Sequence, residues 1–290
     1  MDLPFFLQTL LNGLFLGALY ALMAVGLSLC LGVLKILNIP HGSFILLSCY
    51  LTFTLYHAYG LDPLVSIIVL FPLFFFIGIP FQKFITFGLR KGSAESILIL
   101  GFAVTGVMEN VFLLIWRATG RAVRTSYSTA SLTLGNIIIP VVYVLGLIVS
   151  VVTLLMLYLF LTKTYTGKAI RSVSQDPEVA SVFGVNVGKI RFIAYAISMA
   201  LTAVAGALLS MIFPFQPFTD VVYLTKSLTV VVLGGLGSIL GTLIGGLLLG
   251  VVECLTGGIL GIGYQNLVGL IIFLIVLAFK PKGLFGKYIE

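Results

Sequence analysis

Apolar runs separated by short polar or Gly- and Pro-marked breaks fill almost the whole chain. Hydropathy predicts membrane-length stretches at 8–34, 41–57, 63–82, 94–116, 140–161, 192–213, 221–234, 238–257 and 264–280. Those at 41–57 and 221–234 are short. A stretch below about 17 residues cannot cross alone without thinning the bilayer, so 221–234 reads as a re-entrant or discontinuous helix. The pattern predicts an all-α polytopic membrane protein of about eight or nine transmembrane or re-entrant helices, with residues 1–290 forming one transmembrane domain.

Composition agrees. Of 290 residues, 60% are hydrophobic and only 9% charged, a balance that no soluble globular domain needs. Met1-Asp2-Leu3-Pro4 lacks the basic region and small-residue cleavage site of a secretory signal, so the first apolar stretch is expected to stay in the mature protein. Cys30, Cys49 and Cys254 all fall in apolar runs without paired spacing and read as small buried hydrophobes. A net charge of +7 would suggest nucleic acid in a soluble protein, but here Lys and Arg sit at helix ends, where the positive-inside rule accounts for them. Membrane lipid, not nucleic acid, is the expected environment.

One polar island interrupts the pattern: Thr162 to Arg191, TKTYTGKAIRSVSQDPEVASVFGVNVGKIR. Within it Asp176-Pro177-Glu178 reads as a helix start. Asp176 can cap free N–H groups, Pro177 is preset for the first helical position, and Glu178 suits the positive end of the dipole. Gly184 is a natural stop. The two-turn helix predicted from Pro177 to Phe183 puts Val179, Val182 and Phe183 on one face by i, i+3, i+4 spacing. Spacing alone leaves two readings open: the stripe docks a partner, or it lies on the inner ends of the chain's own membrane helices.

The island resembles the cytoplasmic loop of permease subunits of bacterial ABC importers, of the branched-chain amino-acid (high-affinity leucine-isoleucine-valine, LivH) type. The matching residues are Thr166-Gly167-Lys168-Ala169-Ile170-Arg171, Gln175-Asp176-Pro177-Glu178-Val179-Ala180 and Phe183-Gly184-Val185. The likeness continues upstream in Leu22-Met23-Ala24-Val25-Gly26-Leu27 and Leu37-Asn38-Ile39-Pro40-His41-Gly42, and downstream in Val232-Leu233-Gly234-Gly235-Leu236-Gly237-Ser238 and Gly241-Thr242-Leu243-Ile244-Gly245-Gly246. Against the Glu-Ala-Ala loop motif of ABC permeases, Glu178, Ala180 and Gly184 fit, Val179 replaces the middle Ala, and no Leu-Pro follows.

The resemblance implies an ABC importer permease fold with a coupling loop at 162–191. The residues expected to couple to an ATPase are Asp176, Pro177, Glu178, Val179, Ala180, Val182, Phe183 and Gly184. It also implies a second related permease, two cytoplasmic ATPases that hold ATP and Mg, and an extracytoplasmic substrate-binding protein. This chain itself is expected to need no cofactor and to hold no metal. The expected place is the inner membrane of a bacterium or archaeon.

With the island in the cytoplasm, Lys35, Lys83, Arg90, Lys91, Lys163, Lys168, Arg171, Lys189, Arg191, Lys280, Lys282 and Lys287 fall inside, and only Arg117, Arg121, Arg124 and Lys226 outside. The N-terminus is then out and the C-terminus cytoplasmic. Arg117 to Pro140 becomes the longest external loop, able to face a periplasmic partner.

Two breaks between apolar helices are candidates for a substrate path or gate: Asn38, Pro40, His41 and Gly42 in the first, Gly234, Gly235 and Gly237 in the second. Both free main-chain groups that bare hydrocarbon cannot satisfy. Midplane breaks of this kind point to a substrate path; the competing reading is two cytoplasmic turns. Gly237, Gly241 and Gly245, and Gly246 and Gly250, recur every fourth residue and offer ridges for helix packing. Glu109 and Glu253 lie inside predicted helices, where a charge costs at least about 2.5 kcal/mol. Each should face a partner, face a cavity, or be protonated. Glu109, beside Asn110 and two turns from Arg117, equally suits a structural polar cluster near the outer face.

No nucleotide-phosphate loop, zinc helix or nucleophile elbow is present in the sequence, and His41 and His57 lack the company of a catalytic site. The expectation is a transport subunit rather than an enzyme. The alternative is an ion-coupled secondary transporter or channel for a small polar solute such as urea or amides, with Glu109 or Glu253 carrying protons.

Overall fold

The computed structural model describes residues 3–91, 94–135, 137–280 and 283–284; for 85–91, 94–95 and 134 it describes the backbone alone. Met1-Asp2, Lys282 and Lys287 lie outside the described residues, as do the side chains of Arg90 and Lys91. Among the described residues eleven α-helices follow in order: α1 Leu3–Leu34, α2 His41–Tyr59, α3 Pro63–Lys91, α4 Ala94–Trp116, α5 Val141–Lys163, α6 Tyr165–Gln175, α7 Pro177–Val182, α8 Val187–Ile212, α9 Asp220–Gly234, α10 Ile239–Ile259 and α11 Gln265–Phe279. Among the described residues seven helical segments are long and apolar enough to cross a membrane. Of the nine predicted stretches, 41–57 (now α2) and 221–234 (now α9) are the two that fall short of that standard.

α1 and α8 form the centre and are buried nearly all round, whereas α3, α4 and α11 turn most of their surface outward. That distribution suits lipid, which replaces hydrocarbon contacts at no cost, so interior helices associate through close packing rather than hydrophobicity. The α1–α10 seam shows how. A Cβ on Gly17 would stand 2.6 Å from the Leu247 Cα, and one on Gly246 would stand 2.6 Å from the Ala21 nitrogen. Gly241 and Gly245, on a different face of α10, meet Gly234 and Val230 of α9. The fourfold glycine spacing therefore serves two partners at once.

The polar segment after α4, expected as the longest external loop, carries a short antiparallel hairpin, β1 Ser131–Leu134 with β2 Ile137–Pro140. Gln8 of α1 exchanges both of its amide groups with Ile138, at 2.7 and 2.8 Å, which satisfies the outer strand edge. At the same end Tyr127 donates to both oxygens of Asp62, at 2.9 and 3.0 Å. Burial, then the bond to Asp62, push the Tyr127 phenol well up, so it stays a donor. The opposite end holds α6 and α7, tied down where Ser174 donates to the Gly32 carbonyl at 2.9 Å.

Two segments turn back into the bundle. The His41 Nε2–H donates to the Met23 carbonyl at 2.9 Å, and Met23 lies eleven residues before the end of α1 at Leu34, about 16 Å along the axis. The chain therefore leaves α1 at the α6 end, re-enters, and starts α2 at mid-depth. From the other side, α8 ends at Ile212 and residues 213–219 fold inward, so that α9 begins at Asp220 beside Gly42 and Ser43. Ser43 donates to Asp220 Oδ2 at 2.7 Å. The N-termini of α2 and α9, arriving from opposite faces, meet inside the bundle.

Candidate functional site

The island folds as its capping chemistry predicts. Asp176 Oδ1 accepts from the Glu178 and Val179 N–H groups at 2.9 and 3.0 Å, Pro177 occupies the first turn, and Gly184 leaves the helix at φ +80°. α6 beneath it buries Gly167, Ala169, Ile170 and Val173 against the bundle. Of α7, only Ala180 turns inward, at 4% exposure. Val179, Val182 and Phe183 are 51%, 83% and 82% exposed, so the alternative in which this stripe packs on the chain's own helix ends does not hold. The reason lies in the spacing: burying Ala180 places the stripe on the outward face of so short a helix.

The first candidate gate is a buried junction. Asn38 is 3% exposed and His41 0%. Neither polar end of the Asn38 side chain has a partner, nor does His41 Nδ1. Pro40 caps α2 with no side-chain bond to the helix start. Gly42 is required there, because a Cβ would overlap the Asp220 carbonyl.

The second candidate gate separates from it. Gly234, Gly235 and Gly237 make the tight α9–α10 turn at the α6 end, with Gly235 at φ +98° and Gly237 at φ +76°. Gly237 sits on Gly32. The segment that meets the 38–43 break is 213–219 with the start of α9, whose polar and aromatic residues hide it from hydropathy.

The two acids also differ from expectation. Glu253 of α10 is 1% exposed and receives hydrogen bonds from Lys226 of α9 and, at 2.8 Å, from the Tyr20 hydroxyl. Lys226, expected outside, lies in the second turn of α9 within the bundle, because α9 starts at depth rather than at the surface. A cavity of about 200 Å³ lies beside this pair, lined by Thr225, Thr229, Asn266 and Gly269. Glu109 does not cluster with Arg117 and Asn110. Asn110 instead donates to the Gly106 carbonyl at 2.7 Å, and Glu109 makes no ion pair within 4 Å with a described residue. Asp220 and Ser43 are residues that sequence reasoning missed. Their signal was faint: an acid at the first helical position of a stretch too short to span.

The match to the family described as "Branched-chain amino acid transport system / permease component" runs over residues 9–278. The chain belongs to this family. It is similar to the high-affinity branched-chain amino acid transport system permease protein BraD of Pseudomonas aeruginosa, 29% identical over 97% of this chain and 96% of that protein. It is also similar to LivH of Escherichia coli K12, 27% identical over 98% and 96%. Among solved structures, PsaBC from Streptococcus pneumoniae in complex with Fab shares the fold, with a TM-score of 0.50 and 16% identity over 96% of this chain and 94% of that one. The permease is thus an all-α, multi-pass membrane protein and a transport subunit of an ABC importer.

Proposed function

We propose that this permease carries branched-chain or other small apolar amino acids across the inner membrane of a bacterium or archaeon, driven by separate ATPase subunits. The observation that carries the reading is α7: a capped helix that presents Val179, Val182 and Phe183 to solvent. An autonomous carrier has no use for such a helix. Two cytoplasmic ATPases, which hold ATP and Mg, dock on that stripe, and their closure moves α6 and α7 against α1 through Ser174 and Gly32. The α6–α7 end is then cytoplasmic, the N-terminus out and the C-terminus in. The hairpin end receives the extracytoplasmic binding protein, and a second related permease completes the pore.

The path runs along the junction at Asn38, Pro40, His41 and Gly42. Buried polar groups without partners there are costly, and a passing polar solute satisfies them. The positive ends of α2 and α9 point to the same place and favour a substrate carboxylate.

The test is ATP-driven uptake of radiolabelled leucine into proteoliposomes that carry the copurified assembly. Uptake is expected with ATP inside and partners present, and none from this chain alone under a proton gradient. Gradient-driven accumulation by the isolated chain would favour the secondary carrier.

A further inference from the structure

Between α9, α10 and α11 lies a cavity of about 200 Å³, and a buried ion pair forms part of its wall. Glu253 stands six residues, about 9 Å, inside the end of α10 at Ile259, at a depth where an ionised side chain is costly unless it meets a partner or a polar cavity. Here it has both. Tyr20 and Lys226 each donate to one of its carboxylate oxygens. The Lys226 ammonium also lies 5.1 Å from the centre of the Tyr20 ring. Of its three N–H groups one goes to Glu253, and the others have no acceptor among the described residues. α11 approaches the pair at Gly269, where a Cβ would overlap Glu253 Oε1.

The rest of the lining divides by chemistry. The Thr225 and Thr229 hydroxyls donate to the Val221 and Thr225 carbonyls, both at 2.8 Å, so toward the cavity they can only accept. Asn266, exposed at the start of α11, brings an amide to the wall. Val221, Val222 and Leu270 add exposed apolar surface. Ammonium donors beside an amide match a carboxylate, the hydroxyl lone pairs match an ammonium, and the apolar wall matches an aliphatic chain. The space far exceeds the roughly 10–15 Å³ that one water needs and stays below the roughly 300 Å³ at which drug-sized sites begin. A small amino acid fits both bounds. A metal ion does not suit the site, because the charge of Lys226 already occupies Glu253, and a simple anion would leave the apolar wall unused.

We infer that this cavity is a second station for the transported amino acid, where Lys226 takes the α-carboxylate and Val221, Val222 and Leu270 take the side chain. Glu253 and Tyr20 hold the ammonium of Lys226 in place. The inference rests on the proposed function and deepens it. α9 links the station to the junction with α2: Asp220 bonds Ser43 there, and Val221 and Val222, next in sequence, line the cavity. No bond is made or broken, and Lys226 keeps its proton.

The test is equilibrium binding of tritiated leucine to the copurified assembly in phosphatidylcholine nanodiscs, without nucleotide or binding protein. Competitors are 4-methylpentanoate, which keeps the acid alone, isoamylamine, which keeps the amine alone, and sodium chloride. 4-Methylpentanoate should compete, and isoamylamine should be weaker by about tenfold or more, the effect of losing one charged hydrogen bond. Asn266→Leu and Val222→Phe change exposed side chains, so both should fold. The first should weaken leucine by about threefold to tenfold, the effect of one neutral hydrogen bond; the second should weaken leucine more than alanine, because it fills the space for the longer side chain. The double variant Lys226→Met/Glu253→Gln strands neither charge. It should bind leucine about tenfold or more weakly and lose the preference for acid over amine, a change that a merely structural role would not produce.

Wild-type leucine affinity in Asn266→Leu and Val222→Phe overturns the inference, whether or not the double variant folds. So does a wild-type assembly with no saturable leucine binding, or equal competition by acid and amine. Full displacement by chloride makes the cavity a simple anion site, and loss of binding when phosphatidylglycerol replaces phosphatidylcholine gives it to a lipid headgroup; either result overturns the inference. Failure of ATP-driven leucine uptake by the wild-type assembly would instead remove the proposed function. Normal wild-type uptake with unchanged variant binding removes the second station alone.

Discussion

Lys226 of α9 and Glu253 of α10 neutralise each other inside the bundle, and the Tyr20 hydroxyl of α1 closes the third side at 2.8 Å from Glu253. The pair thereby joins a half-length helix to two long ones. Removing one member of a buried pair strands the other charge and costs about 3–5 kcal/mol, whereas replacing both by apolar residues is often neutral. Glu253→Gln and Lys226→Met should each lower the unfolding temperature and yield of the purified assembly. The double variant should recover most of the loss, as read by thermal unfolding in detergent. Full stability in both single variants would mean the pair is not closed in the protein.

If α7 docks an ATPase as proposed, docking and folding can be separated between Ala180 and Phe183. Phe183→Asp and Val182→Asp change side chains that are more than four-fifths exposed, so the permease should insert and purify normally. ATPase copurification and substrate-stimulated hydrolysis should fall together, because a poorly paired charge in an apolar contact is costly. Ala180→Arg is a different experiment: Ala180 is buried, so this change should reduce folded protein before any question of docking arises.

The glycines of α4 and α10 should divide by what they touch. Gly250→Leu drives a side chain into the backbone of Gly13 and Gly17, so it should prevent α1–α10 closure and abolish stable expression. Gly106→Ala, on α4, meets nothing within 4 Å. It should be neutral or stabilise by up to about 1 kcal/mol. Expression and thermal unfolding of the two variants decide the matter.

Gly42→Ala isolates the junction. Its Cβ would collide with the Asp220 carbonyl, pushing the starts of α2 and α9 apart without changing the chemistry of any polar side chain. The expected result is an assembly that still copurifies with its ATPases but loses at least about tenfold in leucine uptake, the rate cost of a barrier higher by about 1.4 kcal/mol. Uptake at the wild-type rate would show that the junction does not move substrate.

Much of the fold was legible because lipid imposes a simple rule: long apolar runs become helices. The stretches at 63–82, 94–116, 140–161, 192–213, 238–257 and 264–280 correspond to α3, α4, α5, α8, α10 and α11 with shifts mostly at their ends. Asp176, Pro177 and Gly184 act locally, through backbone groups two or three residues away, so the start and stop of α7 could be read directly. Depth could not. Hydropathy records how apolar a segment is, and residues 35–40 and 213–219 enter the bundle while carrying the polar, proline and aromatic residues of ordinary loops.

The sequence by itself therefore determined the membrane class, the long apolar helices, the start and stop of α7 and the family, since each depends on composition, on contacts within one turn, or on a linear run of matching residues. Tertiary structure alone decided which acids meet which partners. Lys226 and Glu253 are 27 positions apart, and Ser43 and Asp220 are 177 apart. Pairings at such separations come from how helices cross and re-enter, a geometry that the close backbone approach at glycine permits and that no periodicity along the chain encodes.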